Sequence, residues 1–144
     1  MRSMGLAMLA YLALLGSAPA GPSDADVVKR FGMLGKLAVD CTVPYSESNP
    51  YQIYDVSPKG TLTRILKSPT LGAALPLRKV RLLSQDQLQF EETGRRSVLT
   101  VTIVKIEGKF RNWNSIQADG TVLIADGRFS DSGRPTITFT FCGN

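Results

Sequence analysis

The sequence predicts an all-β fold: an antiparallel barrel of eight to nine strands, or a sandwich, with one short N-terminal helix. Three observations predict it. Beyond Gly35 the chain breaks into short β-rich segments about every ten residues, each bounded by turn residues. In the last of them, "PTITFTFC", apolar Ile137, Phe139 and Phe141 alternate with Thr136, Thr138 and Thr140, the period-two pattern of a half-buried strand. No segment beyond Gly35 carries a sustained helical period.

The elements follow in chain order. Arg2, the apolar stretch Met4–Gly16 and the small residues Ala18 and Ala20 read as an export leader cleaved after Ala20. The apolar run falls short of the ~20 residues that span a bilayer. Residues 21–144 remain, the size of one domain with a real core. "PSDADVVKRFGMLG" predicts a helix: Ser23 caps it, and Asp24 and Asp26 sit in the first turn, where the helix dipole favours negative charge. Val27, Val28, Phe31 and Leu34 form its apolar stripe, and Gly32 or Gly35 ends it. Such a helix plugs a barrel end or packs beside a sheet.

The β-rich segments are "KLAVDCT", "YQIYDVS", "TLTRILK", "LPLRKVRLL", "QLQFEE", "SVLTVTIVKIE", "FRNWNSIQ", "TVLI", "RFS" and "PTITFTFC", from which eight or nine strands are expected. "PKG", "SQD", the two "ADG" triplets and "DSGR" supply turns, and "SPTLGAA" reads as a loop. "SVLTVTIVKIE" is expected to be the longest strand and, being apolar on both faces, covered on both, with the helix as a candidate cover. Cys41 and Cys142 are the only cysteines. In an exported chain they predict a disulfide tying the first strand to the last. Their alternation phases differ, so the pairing needs a local distortion or a position at a barrel seam.

Composition excludes much chemistry. The chain has no histidine, which removes the usual neutral-pH base, the Ser–His and Cys–His arrangements and ordinary zinc, copper or haem sites. Neither a phosphate-binding loop nor a dinucleotide fingerprint is present. The acids are few and sit mostly beside turn residues, as at Glu107–Gly108, Asp119–Gly120 and Asp126–Gly127, and the "ADG" triplets lack a calcium-binding ligand run. No enzyme activity, cofactor or metal is expected. The net charge of +5, scattered along the chain, does not point to nucleic acid.

Two stretches are candidate contact sites. In "FRNWNSIQ", simple alternation turns Phe110, Asn112, Asn114 and Ile116 inward and Arg111, Trp113 and Ser115 outward. Arg111 and Trp113 then form either a binding surface or a structural stack, and Asn112 and Asn114 a polar inner wall. In "TVPYSESNPYQIY", Tyr45, Tyr51 and Tyr54 gather around Pro44 and Pro50, either as a partner-contact loop or as a lid over the core.

"GKLAVDC", followed by Asn49–Pro50 and closed by Cys142, resembles a set of small uncharacterised exported bacterial proteins. Those read Gly-x-Trp-Ala-x-Asp-Cys, then Asn-Pro, with a cysteine near the C-terminus. Gly35, Ala38, Asp40, Cys41, Asn49, Pro50 and Cys142 fit, and Leu37 replaces the tryptophan. The Gly-x-Trp element also resembles lipocalins and related calycin barrels, which implies a lipocalin-like barrel and no particular activity. The functional expectation is a periplasmic or secreted binding protein. A barrel mouth would hold a small apolar ligand; alternatively, a solid barrel would dock an envelope protein through the tyrosine loop.

Overall fold

The computed structural model describes residues 20–144, so the expected leader lies outside the described residues. Helix α1 (Asp24–Phe31) forms where its sequence signals place it. Ser23 Oγ accepts from the Asp26 N–H, the Asp26 carboxylate accepts from the Ser23 N–H, and Gly32 terminates the helix at a φ of 91°. Val27, Val28 and Phe31 are buried. Met33, rather than Leu34, completes the buried set as the chain leaves the helix.

Ten strands follow: β1 (Gly35–Ala38), β2 (Tyr51–Val56), β3 (Leu62–Lys67), β4 (Gly72–Ser84), β5 (Gln87–Thr93), β6 (Val98–Ile106), β7 (Lys109–Gln117), β8 (Val122–Ala125), β9 (Arg128–Phe129) and β10 (Thr138–Gly143). From β1 to β7 each strand pairs antiparallel with the next. β10 then pairs with both β7 and β1, so β1–β7 and β10 close into an eight-stranded barrel. β8 and β9 extend from β7 as an added hairpin.

The seam explains the mismatched cysteine phases. The β1–β10 register shifts between Lys36 and Leu37, and Cys41 lies beyond the end of β1. The Cys41–Cys142 disulfide forms there, with Cα atoms 5.4 Å apart and a sequence separation of 101. Gly35 is needed at the same seam: a Cβ on it would sit 2.6 Å from the Gly143 carbonyl oxygen, and its φ is +132°.

One end of the barrel is solid. Phe31 packs on Phe110 with ring centroids 5.6 Å apart, and Val27, Val28 and Met33 join Leu37, Leu62, Leu77, Leu88 and Phe90 in one cluster. The Lys105 ammonium lies 4.6 Å from the Phe31 ring centroid. α1 is therefore a plug in the barrel end, packed against β4. It is not the outer cover of β6: on that face Gln89 donates to Thr102 Oγ1 and Arg111 lies opposite Val104.

Two strand expectations need correction. The longest strand is β4, with 13 residues, not β6, with 9. β4 starts at Gly72 because Ala73 and Ala74 pair with Leu66 and Ile65, so the last three residues of the expected "SPTLGAA" loop are strand. A register shift between Arg78 and Arg81, with Lys79 at φ 53°, bends β4. β10 begins only at Thr138, and of the three apolar residues expected to face the core only Phe139 is buried: Ile137, before the strand, and Phe141 are exposed, whereas Thr136, expected to face outward, is buried.

Candidate ligand cavity

The opposite end of the barrel is open, and its floor is set by two strands that break the usual sorting of residues. In β3, Leu62, Arg64 and Leu66 share the inner phase; in β5, Leu88, Phe90 and Glu92 do. Each strand thus points one charge of opposite sign into the barrel. Arg64 Nε and Nη2 donate to the two carboxylate oxygens of Glu92 at 2.5 and 2.6 Å, a bidentate fork that fixes geometry as well as energy. The two residues are 6% and 2% exposed.

This pair rests on the aromatic top of the sealed core. The Arg64 guanidinium lies 5.8 Å from the Phe90 ring centroid, and Phe90 meets Tyr54 edge to face at 6.3 Å. Tyr54, opposite Arg64 in the β2–β3 register, donates its hydroxyl to Gln52 Oε1 at 3.2 Å. Burial pushes the Tyr54 phenol up to about 12, and Glu92 adds to that against the opposing pull of Arg64. For Arg64, burial alone disfavours the charge, yet Tyr54 and Glu92 outweigh it and leave the guanidinium pKa raised.

Above this floor lies an open concavity with two lobes, of about 470 and 870 Å³. Both lobes touch Arg64, Leu66, Leu71, Asn112, Ile124 and Phe129, so they are neighbouring compartments of one mouth. The size and the mainly apolar wall with a few convergent polar groups are those of a small-molecule site. β8 and β9 build part of that wall: Ile124 and Phe129 are cross-strand partners and line both lobes. The polar groups at the base are Gln52, Asn112 and Ser115, with Asn112 Nδ2 donating to Ser115 Oγ at 3.0 Å.

The contact residues expected from sequence divide between this cavity and the barrel exterior. Asn112 faces inward, as expected, opposite Ile103. Asn114 does not: the β6–β7 register slips between Thr102 and Ile103, leaving Trp113 as the extra residue of a bulge. Asn114 therefore lies opposite outward-facing Thr102, and its Oδ1 accepts from the Asp126 N–H. Beyond the bulge Ser115, opposite Val101, takes the inner phase, and Ile116 turns outward.

Arg111 and Trp113 do form the expected stack, with the guanidinium 5.9 Å from the ring centroid. The same guanidinium donates to Thr136 Oγ1 at 2.9 Å and to the Gly127 carbonyl at 2.5 Å, and the Gly127 N–H donates to the Trp113 carbonyl. Arg111 thereby fastens the turn after β8 and the approach to β10 onto β7. Its Nε and one Nη2 donor are committed to the fold.

The tyrosine stretch also splits. Tyr54 is 1% exposed and lies beneath the cavity floor, lining neither lobe and no contact loop, whereas Tyr51 lines the smaller lobe. Tyr45 and Tyr51 meet edge to face at 5.9 Å beside the mouth, with the Lys67 and Lys36 ammonium groups 4.6 and 4.8 Å from their respective ring centroids. Buried Asn49 braces this loop: its Oδ1 accepts from the Asp40 N–H, and its Nδ2 donates to the carbonyls of Asp40, Val43 and Pro44. Asp40 in turn accepts from the Thr42 hydroxyl and N–H, which holds its carboxyl below the usual range. Arg64 and Glu92 were absent from the sequence-based candidates, although both stand in the apolar phase of their strands.

Among the described residues no cluster of acids and cysteines is arranged to hold a metal ion, and no helix is long and apolar enough to cross a membrane. Compared with known proteins, the chain matches no family, no curated sequence and no solved structure.

Proposed function

We propose that the protein is an exported binding protein whose open barrel end holds a small, largely apolar ligand. One observation carries this reading: a barrel sealed at one end by α1 stays open at the other, over a mouth lined by Leu66, Leu71, Ile124 and Phe129. A barrel built only for stability has no reason to leave that half unfilled, because filling it with side chains would add burial worth about 25 cal/mol per Å². The disulfide fits an oxidising compartment such as the periplasm or the cell exterior. The resemblance of Gly35, Asp40, Cys41, Asn49 and Pro50 to small exported bacterial proteins agrees with that placement.

Native mass spectrometry of the protein, purified gently from the cells that make it, tests the reading. The expected result is the disulfide-bonded chain carrying a small adduct that dissociates on activation. A bare chain that also fails to take up added apolar compounds would defeat it.

A further inference from the structure

We infer that the ligand is a single-chain amphiphile with an uncharged, hydrogen-bond-accepting head, bound head-down on the Arg64–Glu92 floor with its chain towards the mouth. This rests on the binding reading above and names the class of molecule bound. The donors at the base give the orientation: the deepest groups are Arg64, Glu92, Gln52 and Asn112, whereas the rim mixes exposed Leu71 and Phe129 with the charged side chains of Glu47, Lys67, Arg95 and Asp131. A chain inserted tail-down would lay hydrocarbon on the floor and leave the free amide N–H groups of Gln52 and Asn112 without partners, which is costly.

The charge of the floor selects the head. Arg64 is neutralised where it stands, by a bidentate contact with Glu92, so it offers no uncompensated positive charge. A carboxylate or phosphate head placed on this floor meets the Glu92 carboxylate, which lines the larger lobe, and an ammonium head meets Arg64, which lines both. A neutral head meets neither. Asn112 spends one Nδ2 proton on Ser115, and Gln52 uses its Oε1 on Tyr54. The amide N–H groups that remain on these two side chains are donors, suited to a carbonyl, ether or hydroxyl oxygen. Glu92 is thus a specificity-determining residue: it cancels the arginine that would otherwise favour an acid.

The test is displacement of the uncharged fluorophore 1-N-phenylnaphthylamine from the purified protein by monolaurin, laurate and dodecylammonium, each below its aggregation limit. Monolaurin is expected to displace the probe at a concentration at least ~10-fold lower than either charged analogue. In Glu92→Gln, which frees Arg64, laurate is expected to gain ~10-fold or more relative to monolaurin. Should that variant fail to fold, the double variant Arg64→Leu/Glu92→Leu, which leaves no buried charge, is expected to bind the probe with no ranking by head charge. Laurate or dodecylammonium matching monolaurin in the wild type would overturn the head assignment and leave the cavity reading standing, as would an unchanged ranking in the variants. Probe binding that is absent, or unaltered by the mouth-filling variant Leu66→Trp, would overturn the cavity reading and this inference with it.

Discussion

The two ends of this barrel are made from the same eight strands and do opposite things. At the sealed end, alternation delivers leucine, phenylalanine and valine inward, and α1 adds Val27, Val28, Phe31 and Met33 to complete the packing. At the open end the same inner phase delivers Arg64, Glu92, Gln52, Asn112 and Ser115, below a wall that includes Leu66, Leu71, Ile124 and Phe129. The boundary is the layer of Tyr54, Phe90 and the ion pair. Stability is concentrated below it and recognition above it, since a site for a guest needs unfilled volume that a core cannot tolerate.

The ion pair offers the largest lever on that boundary. Replacing Glu92 alone by leucine strands a buried guanidinium and is expected to cost about 3–5 kcal/mol in denaturant unfolding. Replacing both partners by leucine is expected to cost less than half of that, because no buried charge is left unpaired. A double variant as destabilised as the single one would mean that the pair itself, and not its balance, holds the layer together.

Truncating the plug is expected to come next. Phe31→Ala removes a buried ring from the sealed end and is expected to cost about 3–5 kcal/mol, read as a lower unfolding midpoint at unchanged slope. Reducing the Cys41–Cys142 bridge opens a loop of 101 positions at the seam and is expected to cost about 2–5 kcal/mol. If Phe31→Ala were neutral, α1 would be an appendage and the contrast between the two ends would disappear.

Tyr54 gives the boundary a signature in pH. Its folded pKa, about 12, stands above the ordinary phenol value of 10.0, so the folded state holds the proton longer than the unfolded chain. Its contribution is complete below pH 10 and is lost as pH rises from there towards 12, at roughly 1.4 kcal/mol per pH unit for one proton. Tyr54→Phe is expected to flatten that part of the wild-type stability profile, and parallel profiles would place the phenol in water.

Smallest in stability are changes at the rim. Leu71→Ser is expected to alter unfolding free energy by less than ~0.5 kcal/mol, yet to weaken probe binding several-fold. The comparison predicts this dissociation of stability from binding for the mouth alone.

Much of this was legible in the sequence. Turn residues located the strands, Ser23 and Gly32 bounded the helix, and the cysteine phases foretold an irregular seam where β1 meets β10. Facing was lost wherever the pleat was interrupted. The bulge at Trp113 reversed Asn114, Ser115 and Ile116, and nothing in "FRNWNSIQ" signals an extra residue, since its side chains suit either phase. The cavity floor was written in the alternation as a charge in the apolar phase of "TLTRILK" and another in "QLQFEE". Only the barrel's closure shows that two such charges, 28 positions apart, face each other.

The central claim, that guests enter the open end and not the sealed one, is tested most directly by amide chemical-shift mapping during titration with 1-N-phenylnaphthylamine. The account predicts perturbations at Leu66, Leu71, Asn112, Ile124 and Phe129 and none at Val28, Phe31, Met33 or Leu88. Shifts centred on α1, or spread over the exposed apolar side chains Leu82, Leu83 and Ile106 at the other end, would contradict it.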